Sequence, residues 1–300
     1  MFSGAALSTG KVDSAFFFIV GAAVILLIGI MAVMLVFIVR YNHRRHPAPH
    51  AVRDSVGLEI VWTIVPLILV MVMFYFGWVD FEYIRNPPPD AMAVEVTARQ
   101  WSWLFRYANG KADDILRVPL DRPVRLVMTS LDVLHCLYIP AFRIKEDCVP
   151  GMKTHLWFEA DETGSYELFC TEYCGVGHSH MRSQVIVMPQ ADFDGWYAQP
   201  EETGVVAQGL QALKSGGCLG CHTLDGTKKV GPTFKGLVGG SQVVLRNGKE
   251  RTISVDTAYV RQYILDPNKD VIEGYPAIMP KVALDDAALN AILDYLETIR

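Results

Sequence analysis

The sequence predicts three parts in one chain: a membrane α-helical hairpin, an all-β barrel and an all-α C-terminal domain. Three observations predict it. Two long uncharged apolar runs lie before residue 80. Short segments of alternating polarity fill residues 93–189. Beyond residue 205, helical stretches flank a Cys-x-x-Cys-His pentapeptide. The expected bounds are 1–90 for the anchor, 91–198 for the β domain, 199–207 for a linker and 208–300 for the last domain.

Hydrophobic residues make up 51% of the chain, and the excess is concentrated at the N-terminal end. The net charge of −5 excludes the concentrated basic face that nucleic-acid binding requires.

Residues 15–39 carry no charge and exceed the roughly 20 apolar residues that span a bilayer as a helix. The run ends in Arg40 and Tyr41 rather than at a small-residue cleavage site, as a retained anchor does. A second run, residues 60–79, is interrupted by Pro66, which frees a helical carbonyl. The intervening loop holds Arg40, Arg44, Arg45, Arg53 and three histidines, against Lys11 and Arg85 on the outer flanks. The positive-inside rule puts this loop in the cytoplasm. Both termini and everything after residue 80 then lie on the periplasmic side of a bacterial inner membrane. Glu59, just before the second run, reads either as an interfacial carboxylate at a helix end or as a proton-conducting group.

After the stiff 86–90 linker (NPPPD), segments such as RPVRLVMTS, THLWFEA and GSYELFC read as short strands of a barrel or sandwich. Within twelve residues, Cys170, Cys174, His178 and Met181 supply two thiols, an imidazole and a thioether, and His135 lies upstream. Soft thiolates with a weak axial Met point to copper electron transfer. A mononuclear site uses one Cys, so the second thiol fits a dinuclear centre with two bridging sulfurs. Met181 suits one copper, and the backbone carbonyl of Glu172 is available to the other. A Cys170–Cys174 disulfide or a zinc site competes with this reading.

The C-x-E-x-C-G-x-x-H-x-x-M run, the Ser130–His135 element S-x-D-V-x-H, Gln100-Trp101-x-Trp103 and Glu59-x-x-Trp-Thr-Ile-x-Pro66 together resemble subunit II of haem–copper cytochrome c oxidases. The resemblance covers residues 15 to about 198. It implies a cupredoxin-like barrel in which His135, Cys170, Glu172, Cys174, His178 and Met181 hold the dinuclear copper centre, CuA. It implies magnesium at the Glu172 side chain, shared with subunit I, an electron-inlet role for Trp101, and a proton-channel entrance at Glu59. Without the resemblance, Trp101 reads as one of the aromatics alternating along a strand with Trp103, Phe105 and Tyr107. Cys136 and Cys148 either pair or pack as small hydrophobes.

Cys218-Leu-Gly-Cys221-His222 is the signature of covalent c-type haem attachment. No histidine follows His222, and Met279 is the only methionine after Met188, so Met279 is the candidate sixth ligand. A helix beginning at Asp285 or Asp286 presents Ala288, Leu289, Ile292, Leu293 and Leu296 on one face. The helix–haem motif–Met loop–helix order resembles class I cytochrome c. The whole chain thus resembles a subunit II with a fused cytochrome c domain. It would take electrons from a cytochrome or other respiratory complex, pass them to CuA, and deliver them to subunit I among further membrane subunits. A quinol oxidase subunit would lack the copper ligands. A copper-delivery or sensing protein would not need the haem motif, and the hairpin with Glu59 speaks against a nitrogen-oxide reductase.

Overall fold

The computed structural model describes residues 4–48, 53–200 and 204–299. His50 of the loop, residues 201–203 of the linker and Arg300 lie outside the described residues. The chain forms two compact units. One is Leu7–Asn86; the other comprises Pro87–Arg300 with the residues up to Ala6.

The first unit is two helices, α1 (Leu7–Arg40) and α2 (Val56–Arg85). At 1.5 Å per residue they extend about 50 and 45 Å, beyond the ~30 Å hydrocarbon thickness. They pair antiparallel. Lys11 Nζ lies 3.8 Å from Asp80 Oδ1 and over the Tyr83 ring, and Phe18 meets Phe76 edge-on at 5.9 Å. Ser55 caps α2 by accepting from Leu58 N, and Glu59 sits in the first turn, where a carboxylate suits the helix dipole. The helix continues through Pro66. Apolar side chains along both helices are uncovered, the surface that lipid or neighbouring subunits take in a membrane.

The second unit holds two hydrophobic cores. The larger lies between two five-stranded sheets. Their strands are β1 (Met92–Arg99), β2 (Ser102–Tyr107), β3 (Ala112–Asp113), β4 (Leu116–Pro119), β5 (Pro123–Ser130), β6 (His135–Ile139), β7 (Ile144–Cys148), β8 (Thr154–Glu159), β9 (Gly164–Cys170) and β10 (Arg182–Met188). The sheet orders are β3-β2-β1-β5-β8 and β4-β10-β9-β6-β7, with β1/β5 and β4/β10 parallel. Alternate residues turn inward: Val94, Val96, Trp103, Phe105, Leu126 and Met128 from the first sheet, Leu137, Ile139, Leu168, Val185 and Val187 from the second. The alternating stretch 93–107 is a hairpin, turning at Gln100-Trp101. Helix α3 (Gln190–Ala198) closes one end with Phe193 buried. Residues 4–6, expected with the anchor, belong to this unit instead. Ala6 bridges Ala160, Ala5 N donates to Ala141 O at 3.1 Å, and both alanines are buried.

The C-terminal part corrects one expectation: it is mixed, not all-α. Helices α4 (Val205–Ser215), α5 (Thr257–Leu265) and α6 (Asp286–Thr298) pack around Leu213, Leu289, Ile292, Leu293 and Leu296. Gly209 lets α4 close on α6, since a Cβ there would sit 2.1 Å from Tyr295 Cβ. Asp285 caps α6 by accepting from Ala288 N at 2.7 Å. Between α4 and α6 lies a three-stranded sheet: β11 (Ser241–Arg246), β12 (Lys249–Ser254) and β13 (Val271–Ile272), in the order β12-β11-β13. Its cause is local. Asn247 (φ 51°) and Gly248 (φ 75°) form a two-residue turn with both φ positive, which suits the twist of an antiparallel hairpin.

Gly248→Ala should therefore destabilise the second unit by about 1 kcal/mol, because alanine is strained at positive φ. Gly195→Ala, in α3 with open space around the added methyl, should stabilise it by roughly 0.5–1 kcal/mol. Denaturant melts of the two variants check the pair; equal effects would contradict the turn geometry.

Candidate metal centre and haem cavity

The thiolate loop joins the end of β9 to the start of β10. Cys170 is the last residue of β9 and pairs with Leu137 in β6, two residues from His135. Sheet register thus brings the distant histidine beside the loop. Cys174, a short 3-10 turn over His178–His180, and Met181 complete it. Neighbouring donor atoms lie close together. Cys170 Sγ is 3.9 Å from His135 Nδ1, the two sulfurs are 3.8 Å apart, and Cys174 Sγ is 3.5 Å from His178 Nδ1 and 3.9 Å from Met181 Sδ. The carbonyl of Glu172 lies 3.2 Å from Cys170 Sγ, while its side chain is exposed. His135 and Met181 are fully buried. Metal–ligand bonds of about 2.0–2.3 Å bridge such gaps, so this donor set fits a shared metal centre. His135, Cys170 and Cys174 by themselves form a buried cluster with ligand atoms within 4.8 Å.

The surroundings hold the ligands in place. Asp132 Oδ1 lies 2.8 Å from His135 Nε2, which leaves Nδ1 for the metal. Asp132 Oδ2 accepts from Gln100 N at 2.7 Å, and Oδ1 accepts from Val133 N at 2.7 Å. Burial raises both thiols. At Cys170 the hydrogen bond from His135, with backbone donors, outweighs burial and holds the group below its usual range. Burial and the charge on Cys170 push Cys174 up. Thiols bind metal as thiolates, so a metal ion bound here would displace their protons.

Cys136 and Cys148 do not pair. His135 stands opposite Cys148 and Cys136 opposite Asp147, so the two cysteines project from opposite faces of the β6–β7 pair. Both are free and buried, and burial pushes Cys136 up to about 11 and Cys148 to about 12, values of inert packing thiols.

A second site lies in the same unit. The Cys218–Gly220 turn starts after Gly217 (φ 72°), and His222 N donates back to Cys218 O at 3.0 Å. Cys218, Cys221, His222 and Met279 all line one cavity of about 340 Å³, with apolar walls that include Phe234 and Val260. His222 Nδ1 donates to Pro232 O at 2.7 Å, and Phe234 stacks on the ring at 4.5 Å. Burial lowers the His222 pKa, so the imidazole is neutral with Nε2 free for a metal. An apolar cavity holding two thiols, a neutral imidazole and a thioether fits covalent haem.

Trp101 lies between the sites. Its Nε1 donates to Cys174 O at 3.0 Å, and Gln100 Nε2 donates to the same oxygen at 2.7 Å. Trp101 also lines the cavity, and Cys221 packs against the barrel core to which Trp101 belongs. It is at the β1–β2 turn, not on the strand face with Trp103, Phe105 and Tyr107. Sequence reasoning quoted Asp132 inside its motif without giving it a role, and missed Arg99, Pro232 and Phe234. A carboxylate three residues before a buried histidine was the available signal for Asp132. Arg99 and Phe234 become visible only when the chain is folded.

Comparison with known proteins agrees with this architecture. The family model "Cytochrome C oxidase subunit II, periplasmic domain" matches residues 107–188, and "Cytochrome C oxidase subunit II, transmembrane domain" matches residues 3–77. Cytochrome c oxidase subunit 2 of Alkalihalophilus pseudofirmus is 28% identical over 94% of this chain and 86% of that protein, a span that reaches into the C-terminal domain. The alternative cytochrome c oxidase subunit 2 of Bradyrhizobium diazoefficiens is 32% identical over 43% of this chain and 58% of its own length. Among solved structures, the periplasmic domain of cytochrome oxidase subunit II of Bradyrhizobium japonicum is 29% identical over 37% of this chain and 94% of that chain, with a TM-score of 0.35. The two family models together span more than half of the residues, and the chain belongs to the cytochrome c oxidase subunit II family, a two-pass membrane subunit of a haem–copper oxidase.

Proposed function

We propose that this chain is the electron inlet of its oxidase: it takes electrons from an external donor at a covalent haem c, passes them to CuA, and delivers them to subunit I for proton-coupled reduction of oxygen. The observation that carries the reading is Trp101, whose indole bonds the Cys174 carbonyl while its residue lines the Cys218–His222 cavity. The copper pair and the haem each supply a one-electron couple when bound.

The residues divide the work. His135, Cys170, Cys174, His178, Met181 and the Glu172 carbonyl hold the copper pair, and Asp132 orients His135. Cys218 and Cys221 would form the two thioethers of a covalent haem, and His222 and Met279 would hold its iron. The stacked Phe234 and the Pro232 carbonyl fix the His222 ring plane and tautomer. The exposed Glu172 side chain, beside the exposed Tyr173 and Val176, suits a magnesium site shared with subunit I. Glu59 is placed at a proton-channel entrance in the same reading. The four arginines near the inter-helix loop support a cytoplasmic loop and a periplasmic second unit. The reading keeps a copper barrel over 91–198, a linker over 199–207 and a cytochrome domain over 208–300, although α4 already begins at Val205.

In rapid mixing of the assembled oxidase with a reduced donor, haem c should be reduced before the near-infrared copper band bleaches. Equally fast copper reduction in a Cys218→Ser/Cys221→Ser variant would overturn the inlet role. Met279→Ala should lower the haem reduction potential, since a Met/His pair raises it. A potentiometric titration with no change would remove Met279 from the iron.

A further inference from the structure

The copper barrel meets the C-terminal domain through a small set of charged and polar contacts at the end of α4. Lys214 Nζ lies 2.8 Å from Asp113 Oδ1 and 3.5 Å from Asp114 Oδ1, both on or beside the edge strand β3. The side chains of Asp113 and Lys214 are only 10% and 24% exposed, so the pair is largely shielded from water and salt. Arg99, at the end of β1, donates through Nη2 to Ser215 O at the α4 C-terminus. That carbonyl has no partner within the helix, and the guanidinium suits the negative end of the helix dipole. Gln211 Nε2 donates to Ala112 O at 2.9 Å, one turn earlier. Just beyond, the haem-attachment turn rests on the β1–β2 turn: a Cβ on Gly220 would lie 2.6 Å from Trp101 O, and one on Gly217 2.4 Å from Ser102 Oγ.

These contacts converge on one edge. Asp113 also pairs with Arg117, which fixes the carboxylate that receives Lys214. Lys214, Asp113 and Asp114 do not line the cavity around Cys218 and His222, whereas Arg99, at the end of β1, does.

We propose that Lys214, Asp113, Asp114 and Arg99 form an interdomain latch that holds the haem-binding domain on the Trp101 edge of the copper barrel, and so sets the rate at which this chain's own haem reduces its copper pair. The latch residues are positioning residues. This rests on the haem and copper assignments above. In the step that it governs, one electron leaves ferrous iron, which becomes ferric, and the mixed-valence copper pair becomes dicuprous; no proton moves and no bond is made. A docked domain also covers Trp101, which is only 5% exposed, so a soluble donor reaches the copper through the haem domain alone while the latch is closed.

The test uses the assembled oxidase in detergent or nanodiscs, with wild type, Lys214→Arg, Lys214→Glu and the double variant Lys214→Glu/Asp114→Lys. Two readouts are taken. Photoinduced or stopped-flow reduction of haem c gives the haem-to-copper rate. Hydrogen–deuterium exchange of residues 97–102, 111–115 and 205–215 reports docking whether or not haem is present. Lys214→Glu should slow the transfer severalfold, because each 1.4 kcal/mol of lost docking lowers the closed-to-open ratio tenfold. It should also raise exchange at the three segments and leave the haem and copper spectra unchanged. Lys214→Arg should resemble wild type, and Asp114→Lys should restore much of the rate. Haem-loaded Lys214→Glu with a wild-type rate and wild-type exchange overturns the latch. Raised exchange without rescue by Asp114→Lys overturns it too, because the effect is then not the ion pair. A wild-type preparation without covalent haem overturns the electron-donor reading and this inference with it, while leaving the exchange result legible.

Discussion

Two missing side chains allow Trp101 to stand where it does. At Gly177 a Cβ would lie 2.3 Å from the Trp101 ring, and at Gly220 2.6 Å from its carbonyl oxygen. Any larger residue at either position would push the thiolate loop or the Cys218–Gly220 turn away from the indole. The close approach on both sides lets one aromatic residue bond the Cys174 carbonyl and line the cavity around His222. The rest of the second unit supports that approach. The β1–β2 hairpin presents Trp101 at its turn, and β6 and β9 bring His135 to Cys170. The end of α4 holds the C-terminal domain against the same edge.

The thiolate loop and the Cys218–His222 cavity hold their histidines by the same device on different scaffolds. Each histidine has one ring nitrogen tied to an oxygen acceptor, the Asp132 carboxylate for His135 and the Pro232 carbonyl for His222. That contact fixes the tautomer and points the other nitrogen at the metal position. The acceptors differ in charge. Asp132 stabilises positive charge near the thiolates, whereas Pro232 offers only a carbonyl dipole inside an apolar cavity.

Much of this was legible in the amino-acid order because it is local. The uncharged runs, the spacing of Cys170, Cys174, His178 and Met181, and the Cys218–His222 pentapeptide each state their chemistry within a few residues. The capping aspartate of α6 and its apolar face were equally readable. The all-α expectation for the last domain failed at a plain hairpin signal: Asn247-Gly248 lies between the alternating segments Gln242–Arg246 and Glu250–Ser254. What no local pattern carries is register across sheets. That Cys136 and Cys148 face opposite ways, that residues 4–6 join the barrel, and that Arg99 reaches a helix end 116 positions away depend on strand pairing and domain docking. Such contacts have no signature in residue spacing.

The proposed centre is two coppers shared by the thiolates of Cys170 and Cys174, and electron paramagnetic resonance of the copper-replete oxidised chain tests it most directly. One unpaired electron spread over two equivalent copper nuclei, each of spin three-halves, should give a seven-line hyperfine pattern that disappears on one-electron reduction. A four-line pattern from a single copper, or silence from a zinc or disulfide loop, would contradict it.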